Sequence, residues 1–201
     1  MNRVVARAVS KMWTPTAGLR PIDLDVASGE LVVVRGRSGS GKSTLLALLA
    51  GLTPPDGGTL AIDGRAPLAD EPWSRIAMVP QVLALAIELS VRENVTDALV
   101  SPDDVAVEAL LVDLGLADEA RRSVAEISMG QQQRTALARA LAGHPLLVLA
   151  DEPTSFQDGG HAASVIIALR REAERGAAVV IATHDVAVVA AADRVLDLSP
   201  D

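Results

Sequence analysis

"GRSGSGKSTLL", Gly36 to Leu46, sets three glycines, a lysine and several hydroxyls between the apolar run "ELVVV", ending at Val34, and a stretch of helix-forming residues. Gly36, Gly41, Lys42 and Ser43 fit the pattern G-x-x-x-x-G-K-[ST], placed after a strand and before a helix as its mechanism requires. Glycines let successive backbone N–H groups turn toward one anion, and a helix starting at Lys42 presents its positive end to the same point. Residues Gly36, Arg37, Ser38, Gly39, Ser40, Gly41, Lys42, Ser43 and Thr44 are therefore expected to wrap the phosphates of a nucleotide. Lys42 would reach the β and γ phosphates, and the Ser43 hydroxyl would be a ligand for Mg²⁺.

Outward from this loop the chain alternates strand and helix signals. "VVARAV" from Val4, "IDLDV" from Ile22 and "TLAID" from Thr59 read as strands, separated by turns at "SGE", "PPDGG" and "DGR". The consecutive apolar residues of "LVVV" predict a central strand covered on both faces. A helix is expected from Lys42 to about Ala50, and "RIAMVPQ" is a short strand ending at Gln81. From Ser90 to Glu126 the pattern turns helical. Asp103 and Asp104 mark a helix start, Gly115 its end, and Val105, Ala109, Leu110 and Leu114 share a stripe. "LLVLADEP", a helix near 162–175, "AAVVIATHD", a short helix and "RVLDL" follow, an alternation that predicts βα units around a parallel sheet.

Composition narrows the classes. At 201 residues and 49% hydrophobic, the chain suits one domain with a sizeable core. A net charge of -8 without a lysine or arginine run argues against a nucleic-acid footprint, so no nucleic acid is expected as a partner. Without cysteine there are no disulfides or thiolate metal sites, in keeping with a reducing cytosol. No export signal is expected at the start, and apolar runs such as "VAVVAAA" from Val186 fall far short of the ~18 residues that span a bilayer. Aromatics make up only 1% of the chain, which singles out Trp13, Trp73 and Phe156.

A phosphate loop alone does not select a reaction, because kinases, GTPases and transport ATPases share it. "LLVLADEP" puts Asp151 and Glu152 at the end of a buried strand, where open α/β sheets place ligand groups. Asp151 is expected to hold Mg²⁺ through water, and Glu152 to orient and polarise the attacking water.

"ISMGQQQRTALARAL", from Ile127, resembles the signature of ATP-binding cassette (ABC) proteins, usually written LSGGQ. Gln81 is similar to the family's Q-loop, "SFQD" from Ser155 to its D-loop, and His184 in "ATHD" to its switch histidine, all in the family's order. The resemblance implies a P-loop NTPase core with a mostly parallel sheet flanked by helices, an N-terminal antiparallel β subdomain and a small helical insert. It assigns 1–86 and 127–201 to the catalytic core and 87–126 to the helical subdomain of a single domain spanning 1–201.

It also implies ATP and Mg²⁺ as ligands, with Ser43, Gln81 and Asp151 toward the metal and Glu152, His184, Gln81 and Lys42 in catalysis. Trp13 sits where the family stacks an aromatic on adenine. Trp73 reads as packing. Ser128 can cap the next helix, with Gln131 closing a capping box. In the family Ser128 and Gly130 would contact the γ-phosphate held by a second subunit, so the resemblance implies that Ser128, Met129, Gly130 and Gln131 serve the partner's ATP in a homodimer and that Asp158 couples the subunits. Met129 stands in place of the usual glycine, and Phe156 and Gln157 are bulkier or more polar than the usual residues at the expected dimer seam.

Such a chain would hydrolyse ATP to power separate transmembrane permease subunits, peripheral on the inner face of the cell membrane. "VLALAIELSV", after Gln81, is the expected docking stretch, unless it fills the joint between insert and core. No regulatory domain is expected after "RVLDL". The alternative is a soluble ABC-type ATPase acting in assembly, repair or translation. A P-loop small-molecule kinase leaves the signature and His184 unexplained.

Overall fold

The computed structural model describes residues 2–199; of the domain expected over 1–201, positions 1, 200 and 201 lie outside the described residues. Strands β1 (Asn2–Met12), β2 (Gly18–Ala27) and β4 (Gly57–Ile62) form an antiparallel sheet in the order β2-β1-β4. A second sheet runs β5-β6-β7-β3-β8, built from β5 (Ile76–Val79), β6 (Leu147–Asp151), β7 (Ala178–Ala182), β3 (Leu31–Arg35) and β8 (Arg194–Asp197), with every pairing parallel.

The central strands are apolar up to their last residues, Arg35 in β3 and Asp151 in β6, because both faces are covered. Alternate side chains divide between two cores. Val32 and Val34 of β3 and Leu147 and Leu149 of β6 pack with helix α1 (Lys42–Leu49) and the antiparallel sheet. Leu31, Val33, Val148 and Ala150 face the opposite core with α4 (Met129–Leu141) and α5 (Gly159–Glu174). The scarcity of aromatics is met by leucine, valine, isoleucine and alanine in both cores. Trp73 packs against the second core, with the Arg139 guanidinium 5.1 Å from its ring centroid.

Between β5 and α4 lie α2 (Val91–Thr96), α3 (Asp104–Asp113) and a 3₁₀ turn over Val124–Glu126. Asp103 caps α3 and Gly115 follows its end at φ +63°. The buried stripe, however, is Val107, Leu111 and Leu114; Val105 is 79% exposed and Ala109 also faces out. Seven of the ten residues of α3 are apolar, so its core-facing side is chosen by what it packs against. Helix α5 begins three residues before the expected start, because Asp158 accepts a hydrogen bond from the His161 N–H and so caps a first turn that opens on two glycines. The last helix, α6 (Val186–Ala190), is capped by Asp185. No helix among the described residues is long and apolar enough to cross a membrane.

Candidate functional site

The carboxyl ends of the parallel strands converge, and ligand groups in open α/β sheets gather at such ends. The loop after β3, Glu152 after β6, His184 after β7, and Gln81 after β5 meet around one cleft of about 600 Å³. Within that cleft the phosphate loop contributes Gly36, Ser38, Gly39 and Gly41, and α1 contributes Lys42, Ser43 and Thr44. Asp151, Glu152, Gln81, His184 and Trp13 line it as well. Arg37 and Ser40 face an adjoining hollow instead, because the loop turns between them.

Gly41 shows why the loop needs glycine. Its φ is +100°, and a Cβ there would come within 2.7 Å of the Gly18 carbonyl oxygen. At Gly39 a Cβ would meet nothing within 4 Å, so there it is the φ of +81°, and not crowding, that favours glycine. The Lys42 ammonium stays in the loop, donating to the Gly36 carbonyl at 2.8 Å and the Arg37 carbonyl at 3.4 Å.

At the end of β6, the Ser43 hydroxyl donates to Asp151 Oδ2 at 2.7 Å. Burial pushes the Asp151 carboxyl up; the Ser43 hydrogen bond opposes this, and neighbouring Glu152 adds to it. The pair is an oxygen-only donor set. No group of three metal-ligating acids, histidines or cysteines occurs among the described residues. Mg²⁺ takes one or two protein oxygens and completes its shell with water and substrate phosphate, so the residues fit that ion.

Glu152 is held more tightly than its sequence suggests. Its φ of +51° is a strained conformation for a residue with a side chain, of the kind that clusters at active sites. Thr183 Oγ1 donates to Glu152 Oε2 at 2.7 Å, and His184 Nδ1 lies 2.8 Å from Oε1. The Glu152 carbonyl accepts from Gln133 Nε2 and Ser155 Oγ, each at 2.6 Å. Thr183 and Gln133 were not legible as site residues, since nothing in the spacing ties either to Glu152. His184 is 88% exposed apart from this contact, leaving the rest of its ring free toward the cleft. Trp13 donates from Nε1 to Thr44 Oγ1 at 3.0 Å and remains 57% exposed.

The signature residues are elsewhere: Ser128, Met129, Gly130 and Gln131 do not line this cleft. They start α4, where Ser128 Oγ accepts from the Gln131 N–H at 3.2 Å and Gln131 Oε1 accepts from the Ser128 N–H at 2.8 Å. The capping box read from "SMGQ" is therefore formed. Met129 has ordinary helical backbone and is 53% exposed, so the missing glycine strains nothing. Asp158 caps α5 and pairs with His161 at 2.9 Å, and that hydrogen bonding holds its carboxyl below the usual range. Phe156 projects outward, 75% exposed, whereas Gln157 hydrogen-bonds within its own chain to Gly130, Gln133 and Arg134.

The docking stretch divides. Val82 and Ile87 are exposed, while Leu83 and Leu85 pack on the core. Arg139 donates to the Ala84 carbonyl at 2.7 Å, and Asn94 both accepts from the Ala86 N–H and donates to its carbonyl at 2.9 Å, so this irregular segment is pinned from α4 and α2.

Known proteins resemble this chain in sequence and fold. A family profile described as ABC transporter matches residues 19–155. An uncharacterised ABC transporter ATP-binding protein of Mycobacterium tuberculosis is 39% identical over 213 residues, covering 98% of this chain; the chain spans only 64% of that relative's length. The lipoprotein-releasing system ATP-binding protein LolD 2 of Caulobacter vibrioides is 40% identical over 210 residues, covering 96% of this chain and 92% of that protein. Among solved structures, the dimeric ATP-binding cassette MJ0796, in a post-hydrolysis state with ADP and Pi, matches with a TM-score of 0.84 at 29% identity, over 96% of this chain and 93% of that one. Because the profile match runs through the phosphate loop, the signature and the end of β6, and a 40% identical relative aligns almost end to end, the chain belongs to the ABC transporter family as one of its ATP-binding cassettes.

Proposed function

We propose that this chain binds and hydrolyses ATP at a site completed by a second copy of itself, and that the cycle of closing and opening drives separate membrane-spanning subunits. The observation that carries the hydrolytic reading is Glu152, strained at φ +51° and gripped on both carboxylate oxygens beside the Ser43–Asp151 pair. A carboxylate so fixed is suited to orient a water and take its proton. Lys42 and the loop N–H groups would neutralise the β and γ phosphates, His184 would reach the γ-phosphate, and Trp13 would stack on the adenine. Ser43 and Asp151, with Gln81, would hold Mg²⁺, which when bound supplies charge neutralisation to the transferring phosphoryl group.

The position of Ser128 and Gly130 outside the chain's own cleft fits a composite site, in which a helix N-terminus of one subunit faces the nucleotide of the other. The dimeric state of the MJ0796 cassette supports the same reading. The division at 87–126 is proposed as a helical subdomain on the core of 1–86 and 127–201, with the exposed Val82 and Ile87 offered to a membrane partner. The LolD 2 relative serves a lipoprotein-releasing system, which supports a transport role and a place at the inner face of the cell membrane.

Steady-state hydrolysis of MgATP by the purified chain tests the reading. The wild type should release phosphate, and Glu152→Gln should bind MgATP yet turn over very slowly; equal turnover of the two would remove Glu152 from the chemistry. For the partner, the tagged chain should recover a stoichiometric polytopic membrane protein from solubilised native membranes, and recovery of soluble proteins only would shift the reading to a soluble ATPase.

A further inference from the structure

The indole of Trp13 is braced from behind by a charge. The Lys11 ammonium lies over the ring, 5.3 Å from its centroid, within reach of a cation–π attraction. Trp13 lines the nucleotide cleft and Lys11 does not, so the cation takes the side of the ring away from the cleft. Exposure divides the same way: the Lys11 side chain is 14% exposed and Trp13 57%.

Lys11 is itself held. Asp56 Oδ1 accepts from its ammonium at 2.7 Å, and Asp56 Oδ2 accepts from the Met12 N–H at 2.9 Å. These two donors keep the Asp56 carboxyl below the usual range. The Asp56 N–H in turn donates to the Ser10 carbonyl at 2.8 Å, which fixes the start of β4 against the end of β1. On its other edge the ring is tied to the phosphate side of the cleft, because Trp13 Nε1 donates to Thr44 Oγ1, in the first turn of α1. The backbone is closed as well, with the Trp13 N–H donating to the Ala17 carbonyl at 2.9 Å.

We propose that Lys11, anchored by Asp56, is a positioning residue for the nucleobase, bracing the Trp13 ring so that its open face meets the base already oriented. The inference rests on the reading of Trp13 as the platform for adenine. An exposed indole on a turn would otherwise lose rotamer freedom when the base arrives, and a ring fixed beforehand avoids that cost. Neighbouring Ala17 and Gly18 bring no side-chain donor or acceptor to the cleft, so the orientation of the ring governs the contact with the base.

Calorimetric titration of MgATP and of magnesium tripolyphosphate, which has no base, tests the brace on the wild-type chain and its variants, with thermal melting alongside. Lys11→Met keeps the length and apolar stem of the side chain and removes the charge. It should weaken ATP binding about 3- to 10-fold, and Trp13→Ala about 10-fold or more, while the affinity for tripolyphosphate stays at the wild-type value in both. Lys11→Arg, which keeps a cation able to stack on the ring, should restore ATP binding. In steady-state hydrolysis Lys11→Met should raise half-saturating ATP with kcat unchanged, the mark of lost binding common to ground and transition states. Asp56→Asn keeps an acceptor for the Met12 N–H and weakens the hold on Lys11; it should give a smaller loss of the same selective kind, and serves if Lys11→Met does not fold. Wild-type ATP affinity in a folded Lys11→Met protein, or equal losses for ATP and tripolyphosphate, overturns the brace. Unchanged ATP affinity in Trp13→Ala would instead overturn the stacking reading, and the brace with it.

Discussion

Replacing Thr183 by valine removes one of the two hydrogen bonds that fix the Glu152 carboxylate while keeping a side chain of the same shape. Thr183 is fully buried, and its hydroxyl donates to Glu152 Oε2 at 2.7 Å while accepting from the Asp185 N–H at 3.0 Å. A hydrogen bond to a charged group contributes about 1.5–3 kcal/mol. If that contribution is expressed in the orientation of Glu152 during attack, it corresponds to a loss of about 10- to 100-fold in turnover. The orphaned Asp185 N–H adds a stability cost of about 1–3 kcal/mol, read separately by thermal melting. Steady-state kinetics should show kcat falling with half-saturating ATP little changed, because Thr183 is not a residue of the phosphate loop. Thr183→Ser, which keeps the hydroxyl, should retain most of the activity. Wild-type kcat in a folded Thr183→Val protein, or a change confined to KM, would refute this account of how Glu152 is held.

Other outcomes follow from the same geometry. Lys42→Ala should abolish hydrolysis and weaken nucleotide binding, measured by phosphate release and by fluorescent-nucleotide titration. Met129→Gly should alter turnover only a few-fold, because Met129 already has helical backbone; a gain of several hundredfold would show that this residue impairs the site. Gly130→Ala should displace the Phe156 backbone and lower both melting temperature and turnover, since the added Cβ meets the Phe156 carbonyl at 2.7 Å. Asp193 accepts from both Arg170 Nη atoms and from the Leu31 N–H, interactions that lower its carboxyl to about 2. A depressed carboxylate stabilises the fold above its unfolded value and loses that contribution as pH falls through the folded one. Asp193→Asn should therefore cost about 1 kcal/mol at neutral pH, after allowing for solvent screening of a part-exposed pair, with the difference closing as acid titration passes from about pH 4 to about pH 2.

Local chemistry was legible and tertiary chemistry was not. The loop from Gly36 to Thr44 and the box from Ser128 to Gln131 could be read because each is closed within a few residues of chain, where spacing alone fixes which groups meet. The strand before Asp151 announced itself by an unbroken apolar run that only a sheet covered on both faces explains. Thr183 and Gln133 carry no such mark: they lie 31 and 19 residues from Glu152, and only the order of β6 beside β7 and the packing of α4 bring them to it. Gln157 shows the same limit from the other side. Nothing in its spacing ties it to Arg134, yet that buried guanidinium, 4% exposed, requires an acceptor, and the need turns the amide inward.

The central claim is that ATP is sandwiched between two copies of the chain, and trapping that state tests it most directly. Glu152→Gln, which keeps the phosphate loop and signature intact, should run as a monomer without nucleotide and as a dimer with MgATP by size-exclusion chromatography with light scattering, and the dimer should dissolve when Ser128→Arg is added at the signature turn. A Glu152→Gln protein that binds MgATP and stays monomeric across the concentration range would contradict the composite site.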